Sequence, residues 1–140
     1  MGKRWQRFRM VISVDDKPYL VRYRLLSLFG YGLYLHHILR SDTQRELHDH
    51  PWNFVTFLLW GSYVEENFLC NDPKFVAKSY RRRMWSLLFR KATDFHRLEL
   101  QPGKTVWTLF FSGRKIRKWG FQTDEGWVPY DEYEDLGTYS

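Results

Sequence analysis

Short apolar or alternating runs, separated by turn residues, recur along nearly the whole of this 140-residue chain, and helical periodicity is poor almost everywhere. Alternation of period two builds strands, and many short strands between turn signals describe a sandwich or barrel. Residues 8–14 and 19–28 read as strands around a turn at 15–18. Gly30 and Gly32 mark a bend before a third strand at 34–39. Residues 53–60 and 63–68 flank Gly61-Ser62 and read as a hairpin. Further strands are expected at 75–82, 85–90, 97–100, 105–112 and 117–122, with a clear turn at 101–104. The end, from Trp127, reads as a packed extension or a short helix at 130–136. About nine strands in one domain create an edge problem that barrel closure solves.

Aromatics make up 19% of the residues, with seven Trp, so apolar area is ample to offset chain entropy and disorder is excluded. A single cysteine, Cys70, rules out an intrachain disulfide and suits a reducing compartment. The basic N-terminus lacks the apolar run of a signal peptide. The segment 25–39 is too short, and too interrupted by glycine, to span a bilayer. The chain therefore reads as soluble and cytoplasmic, with no membrane partner. Its net charge is +6, yet no Lys or Arg follows Lys118, and six acidic residues do. The reading is a basic body over 8–122 with an acidic extension over 123–140, a solvated basic face pairing with its own tail. Such a body also attracts small anions, and it leaves nucleic acid open even though no nucleic-acid motif is present.

Chemistry concentrates in the histidines. His48 and His50 stand two apart, so a strand turns both imidazoles to one side, half of a metal site. His96 can supply a third nitrogen from a neighbouring strand. The alternative is a pair of histidines at a strand edge satisfied by water or backbone. His36 and His37 are adjacent, so only one faces inward, and a packed, hydrogen-bonded histidine is the expected role. Asp49 should face away from its flanking histidines, and Asp42 sits in the preceding loop.

His48-x-His50, with Gly61 downstream and His96 before the Pro102-Gly103 turn, resembles the cupin superfamily over roughly residues 35–121. That family's first motif runs His-x-His, three or four residues, Glu, six residues, Gly; its second ends on a lone His. The motif Glu would fall at Phe54, and the Pro-x-Gly and Asn of the second motif are absent, Leu100 standing at the latter. The resemblance implies an all-β, single-domain double-stranded β-helix, or jelly-roll, barrel with few short helices. It further implies one divalent metal on His48, His50 and His96, similar to the three-histidine variant of thiol dioxygenases. Without a carboxylate, such a shell keeps the full metal charge and open positions, suiting Fe(II) first, with Zn, Mn or Ni also accepted by imidazole.

The resulting expectation is a non-haem Fe(II) oxygenase of a small, anionic molecule. Glu65, if it pairs near Phe57 and turns inward, would have a raised pKa and, with Tyr63, assist proton transfer. Arg40, or Arg82 from the Arg81-Arg82-Arg83 cluster, would bind the anion, and Trp52 and Trp107 would contact substrate. The alternatives are a non-catalytic cupin-like module that sequesters an anionic ligand such as a nucleotide, and a sugar-phosphate isomerase or epimerase by analogy of fold. A homodimer is compatible with so small a barrel.

Overall fold

The computed structural model describes residues 8–14, 16–41, 47–68, 78–123 and 126–132. Eleven strands, β1 (Arg9–Val14), β2 (Lys17–Leu28), β3 (Tyr31–Ile38), β4 (Phe54–Trp60), β5 (Tyr63–Phe68), β6 (Lys78–Arg82), β7 (Leu87–Arg90), β8 (Phe95–Glu99), β9 (Val106–Ser112), β10 (Gly120–Thr123) and β11 (Gly126–Pro129), carry the fold. There is no helix among the described residues, so the expected short helices are not found there, and none is long and apolar enough to cross a membrane. The expected helix at 130–136 begins instead as a turn, and its remainder lies outside the described residues, as do Asp42 and Cys70.

One sheet has the order β1-β2-β3-β9-β4-β7, and every pairing is antiparallel. The second contains β6-β5-β8 and the β10-β11 hairpin. Residues 47–50 join these parts. His48 bridges both His96 of β8 and Phe121 of β10. Between β2 and β3, Phe29 and Gly30 both have positive φ (51° and 83°), the backbone of a two-residue turn that follows strand twist.

Alternation fixes what faces inward. From β4 come Phe54, Thr56 and Leu58; from β9, Val106, Thr108 and Phe110; from β5, Tyr63, Glu65 and Asn67. Leu20, Ile38, Leu58, Leu98, Leu100 and Val106 pack with Tyr63 as a continuous apolar core. Thr56, Thr108, Glu65, Asn67, His36 and His96 make the rest of the interior polar. An apolar interior with a few inward polar groups is the usual make-up of a ligand pocket.

β4 and β5 do not form the hairpin read from the sequence. β5 pairs with β6 and β8, and Glu65 lies opposite Tyr80 and Leu98, not Phe57. Gly61 (φ 88°) carries the chain from one sheet to the other. A Cβ there would lie 2.8 Å from the Thr105 carbonyl oxygen. Gly61→Ala is expected to destabilise the protein by about 1–2 kcal/mol from backbone strain alone, read as a lower urea midpoint; an unchanged midpoint would mean that the corner is not so constrained.

Candidate metal centre

The histidines meet because of strand register. His48 and His96 exchange both backbone hydrogen bonds (3.2 and 2.9 Å), so their side chains leave the sheet on one face. His50, two residues on, donates its backbone N–H to the Ala92 carbonyl (3.0 Å) and shares that face. Ring centroids lie 5.2 Å apart for His48 and His50, 4.9 Å for His48 and His96, and 4.7 Å for His50 and His96. One ring nitrogen from each falls within 4.8 Å of the others. Burial holds the His50 pKa well below the imidazole range, with His96 adding to the effect, so its ring is neutral. Its Nδ1 is buried with no hydrogen-bond partner. A buried, neutral, unsatisfied imidazole nitrogen within a compact group of three fits a divalent cation.

Glu65 orders the third histidine. Its side chain is 2% exposed. Oε1 accepts from Arg82 Nη2 (3.0 Å) and Nε (3.3 Å), from Asn67 Nδ2 (3.3 Å) and from Arg90 Nη2. Oε2 lies 3.1 Å from His96 Nδ1. A carboxylate only accepts, so this contact places a proton on His96 Nδ1 and makes Nε2 the nitrogen available to a metal. Burial raises the Glu65 pKa, but hydrogen bonds and charge from His96 and Arg90 outweigh it and hold the group far below the carboxylate range. The expected raised pKa is thus corrected: Glu65 does point inward, but His96 and Arg90 keep it ionised. Glu66 faces the other way and binds Arg97 (2.7 Å).

The cavity beside the cluster has a volume of about 140 Å³. Trp52 and Tyr63 line it. Burial, with help from Glu65, raises the Tyr63 pKa, so its phenol keeps its proton. Phe54, at the position of the motif carboxylate, stacks on Phe110 (4.9 Å) and packs against His50 (4.5 Å).

Three other expected contacts are not there. Arg40 donates to the Pro18 and Lys17 carbonyls (3.3 and 3.2 Å) and does not line the cavity. Arg82 is engaged by Glu65 instead of lining the cavity. Trp107 sits in the outward phase of β9 and stacks on His37 at 4.0 Å. The arginines that do line the cavity are Arg22 and Arg90, neither singled out by sequence reasoning. Arg22 follows Leu20 in the inward phase of β2, and that parity was the available signal. His36 is the inward member of its pair: it stacks on Phe110 (4.7 Å) and accepts from Arg22 Nε (3.1 Å).

Asp49 points away from the cluster, as expected, and is fully buried. It accepts from the Gly120 N–H (2.7 Å), Trp127 Nε1 (3.0 Å) and Arg117, fastening the β10-β11 hairpin to the histidine segment. Asp49→Ala is expected to cost about 2–3 kcal/mol, because three donors lose a charged acceptor; urea unfolding would show it, and a loss under about 0.5 kcal/mol, the range of ordinary surface changes, would contradict the role.

No protein-family description matches the chain, and no curated protein matches it significantly. Solved structures do. A cupin-2 domain from Rhodospirillum rubrum is similar with a TM-score of 0.64 at 12% identity, over 90% of this chain and 82% of that one. The Fe(II) form of HppE matches with a TM-score of 0.61 at 13% identity, over 81% of this chain and 59% of that one. Hydroxypropylphosphonic acid epoxidase from S. wedmorenis gives 0.57 at 13%, over 75% and 55% respectively. The chain thus spans a little over half the length of these last two. The likeness shows the fold: an all-β jelly roll like that of the cupin-2 domain.

Proposed function

We propose that this protein binds one divalent metal through His48, His50 and His96 and acts as a non-haem Fe(II) oxygenase of a small anionic molecule. The observation that carries the reading is the convergence of three imidazole nitrogens, without a carboxylate among them, at the wall of a largely apolar cavity. Three neutral ligands leave a bound ion its full charge and open coordination positions at which small molecules can meet. The fold neighbours HppE, described with Fe(II) and with Co(II), and the epoxidase of hydroxypropylphosphonic acid support a metal-bearing barrel that accepts an anionic substrate.

The remaining roles follow from the side chains. Glu65 holds His96 in one tautomer and orientation. Tyr63 keeps its proton and can donate it in a hydrogen bond to a ligand. Trp52, Phe54 and Phe110 give the cavity an apolar wall that limits water.

The test is elemental analysis of protein purified without a histidine tag, followed by an oxygen-uptake screen with small carboxylates and phosphonates. About one equivalent of metal and anion-dependent oxygen uptake are expected. Metal with no oxygen uptake would remove the oxygenase assignment. Folded, metal-free protein that cannot be reloaded with Fe(II) would remove the metal site and favour a non-catalytic binding module, for which the cationic cavity is the supporting observation.

A further inference from the structure

The cavity holds more positive charge and more hydrogen-bond donors than its own walls satisfy. Among the described residues, Arg22, Arg90 and Glu65 are its charged lining groups, and Glu65 is also bound by Arg82 from outside the lining. Glu65 is therefore shared by two arginines, while Arg22 contacts no carboxylate among the described residues. Burial lowers the pKa of Arg22, the signature of a guanidinium taken out of water without an anion to offset the cost.

Arg22 is nonetheless held in place. Its Nε–H donates to His36 Nε2 (3.1 Å), and its guanidinium carbon lies 4.9 Å from the Tyr34 ring centroid. These contacts use the Nε edge and one face of the plane. They leave the Nη1/Nη2 edge, the fork that receives an oxyanion by two parallel hydrogen bonds. Two further donors of the cavity residues, Trp52 Nε1 and Arg90 Nε, are buried with no hydrogen-bond partner. Unsatisfied buried donors in a native fold call for an acceptor that comes from elsewhere.

We propose that Arg22 is the anchor for the head group of the ligand, a carboxylate or phosphonate-type oxyanion on a small molecule. An oxyanion offers acceptors only, which is what the cavity lacks. The size agrees: about 140 Å³ is close to the roughly 150 Å³ of an engineered cavity that takes up benzene, and suits a small acid. The assignment rests on the metal-centre reading for the location of the reaction, but the anion site is built from residues outside the three histidines and is tested apart from them.

The experiment is calorimetric titration of the full chain with propionate, methylphosphonate and the uncharged isostere propionamide. Each is run on metal-loaded and on chelator-treated protein, with Arg22→Gln and Arg22→Lys variants beside the wild type. At least one anion is expected to bind saturably while propionamide does not, and the preferred anion identifies the head group. Arg22→Gln should weaken that anion about 10- to 100-fold, the worth of a charged hydrogen bond. Arg22→Lys, which keeps the charge and loses the fork, should fall between. Equal binding of propionamide, unchanged affinity in both variants, or no saturable anion binding to the wild type would each overturn the proposal. Anion binding that persists in protein unable to hold metal would uphold the Arg22 assignment and defeat the metal centre alone. Intact metal binding with indifferent Arg22 variants would do the reverse.

Discussion

Glu65→Ala should destabilise the protein by about 3–5 kcal/mol, the usual consequence of removing one partner from a buried ion pair. Arg82 and Arg90 both lose their charged acceptor, and neither can swing fully into water, their side chains being 21% and 11% exposed. Glu65→Gln keeps the shape but not the charge, and is expected to lose less. The acid side carries the second half of this prediction. The Glu65 carboxyl titrates far lower in the folded protein than in the unfolded chain. Its contribution is therefore complete above the unfolded value of about 4.3 and declines as pH falls below it toward the folded value. The wild type should lose stability steeply on acidification through that interval, and Glu65→Gln should show a shallower dependence. Urea midpoints at neutral pH and at pH below about 4 read both effects. Parallel pH profiles for the two proteins would refute the assignment.

The second large effect concerns metal. His48→Ala, His50→Ala and His96→Ala should each reduce metal affinity by more than about 100-fold, beyond the range for losing a supporting partner of a ligand. Glu65→Gln, which replaces the charged acceptor of His96 Nδ1–H by a neutral amide, should fall within that 10- to 100-fold range. His37→Ala is the internal control: its ring stacks on Trp107 outside the cavity, so metal content should not change. Competition with a chelating dye gives the affinities. Full metal occupancy in the His96→Ala protein would exclude the proposed ligand set.

Much of this arrangement could be read along the chain. Period-two alternation marked nearly every strand, and the same parity placed His48 and His50 together with Asp49 opposed. What alternation cannot convey is which strands become neighbours. Gly61-Ser62 has the composition of a hairpin turn, yet the same positive-φ glycine serves a corner between sheets, and only long-range pairing distinguishes them. The misjudged Glu65 follows from that. Its inward direction depends on local parity, whereas its ionisation depends on His96 from β8 and Arg90 from β7, delivered by tertiary structure. Trp107 and Arg22 show the opposite bias. An outward tryptophan and an inward arginine both invert the ordinary preference of their side chains, and the phase of β9 is set by Val106, Thr108 and Phe110. The acidic extension was set apart by charge alone, yet its residues 126–129 form β11 and continue a sheet.

The segment 47–50 is sewn to a neighbour along each edge: His48 and His50 bond to β8 and the turn before it, and Asp49 and Leu47 bond to β10. Its backbone is therefore immobilised when the barrel folds, before any cation arrives. An ion entering this cluster meets ligands whose conformational freedom has already been surrendered, so little of its binding energy is diverted into ordering the chain. The protein should accordingly take up and release metal as a folded body, with the melting temperature shifting only by mass action and the strand signal unchanged, rather than folding around its ion as small zinc domains do.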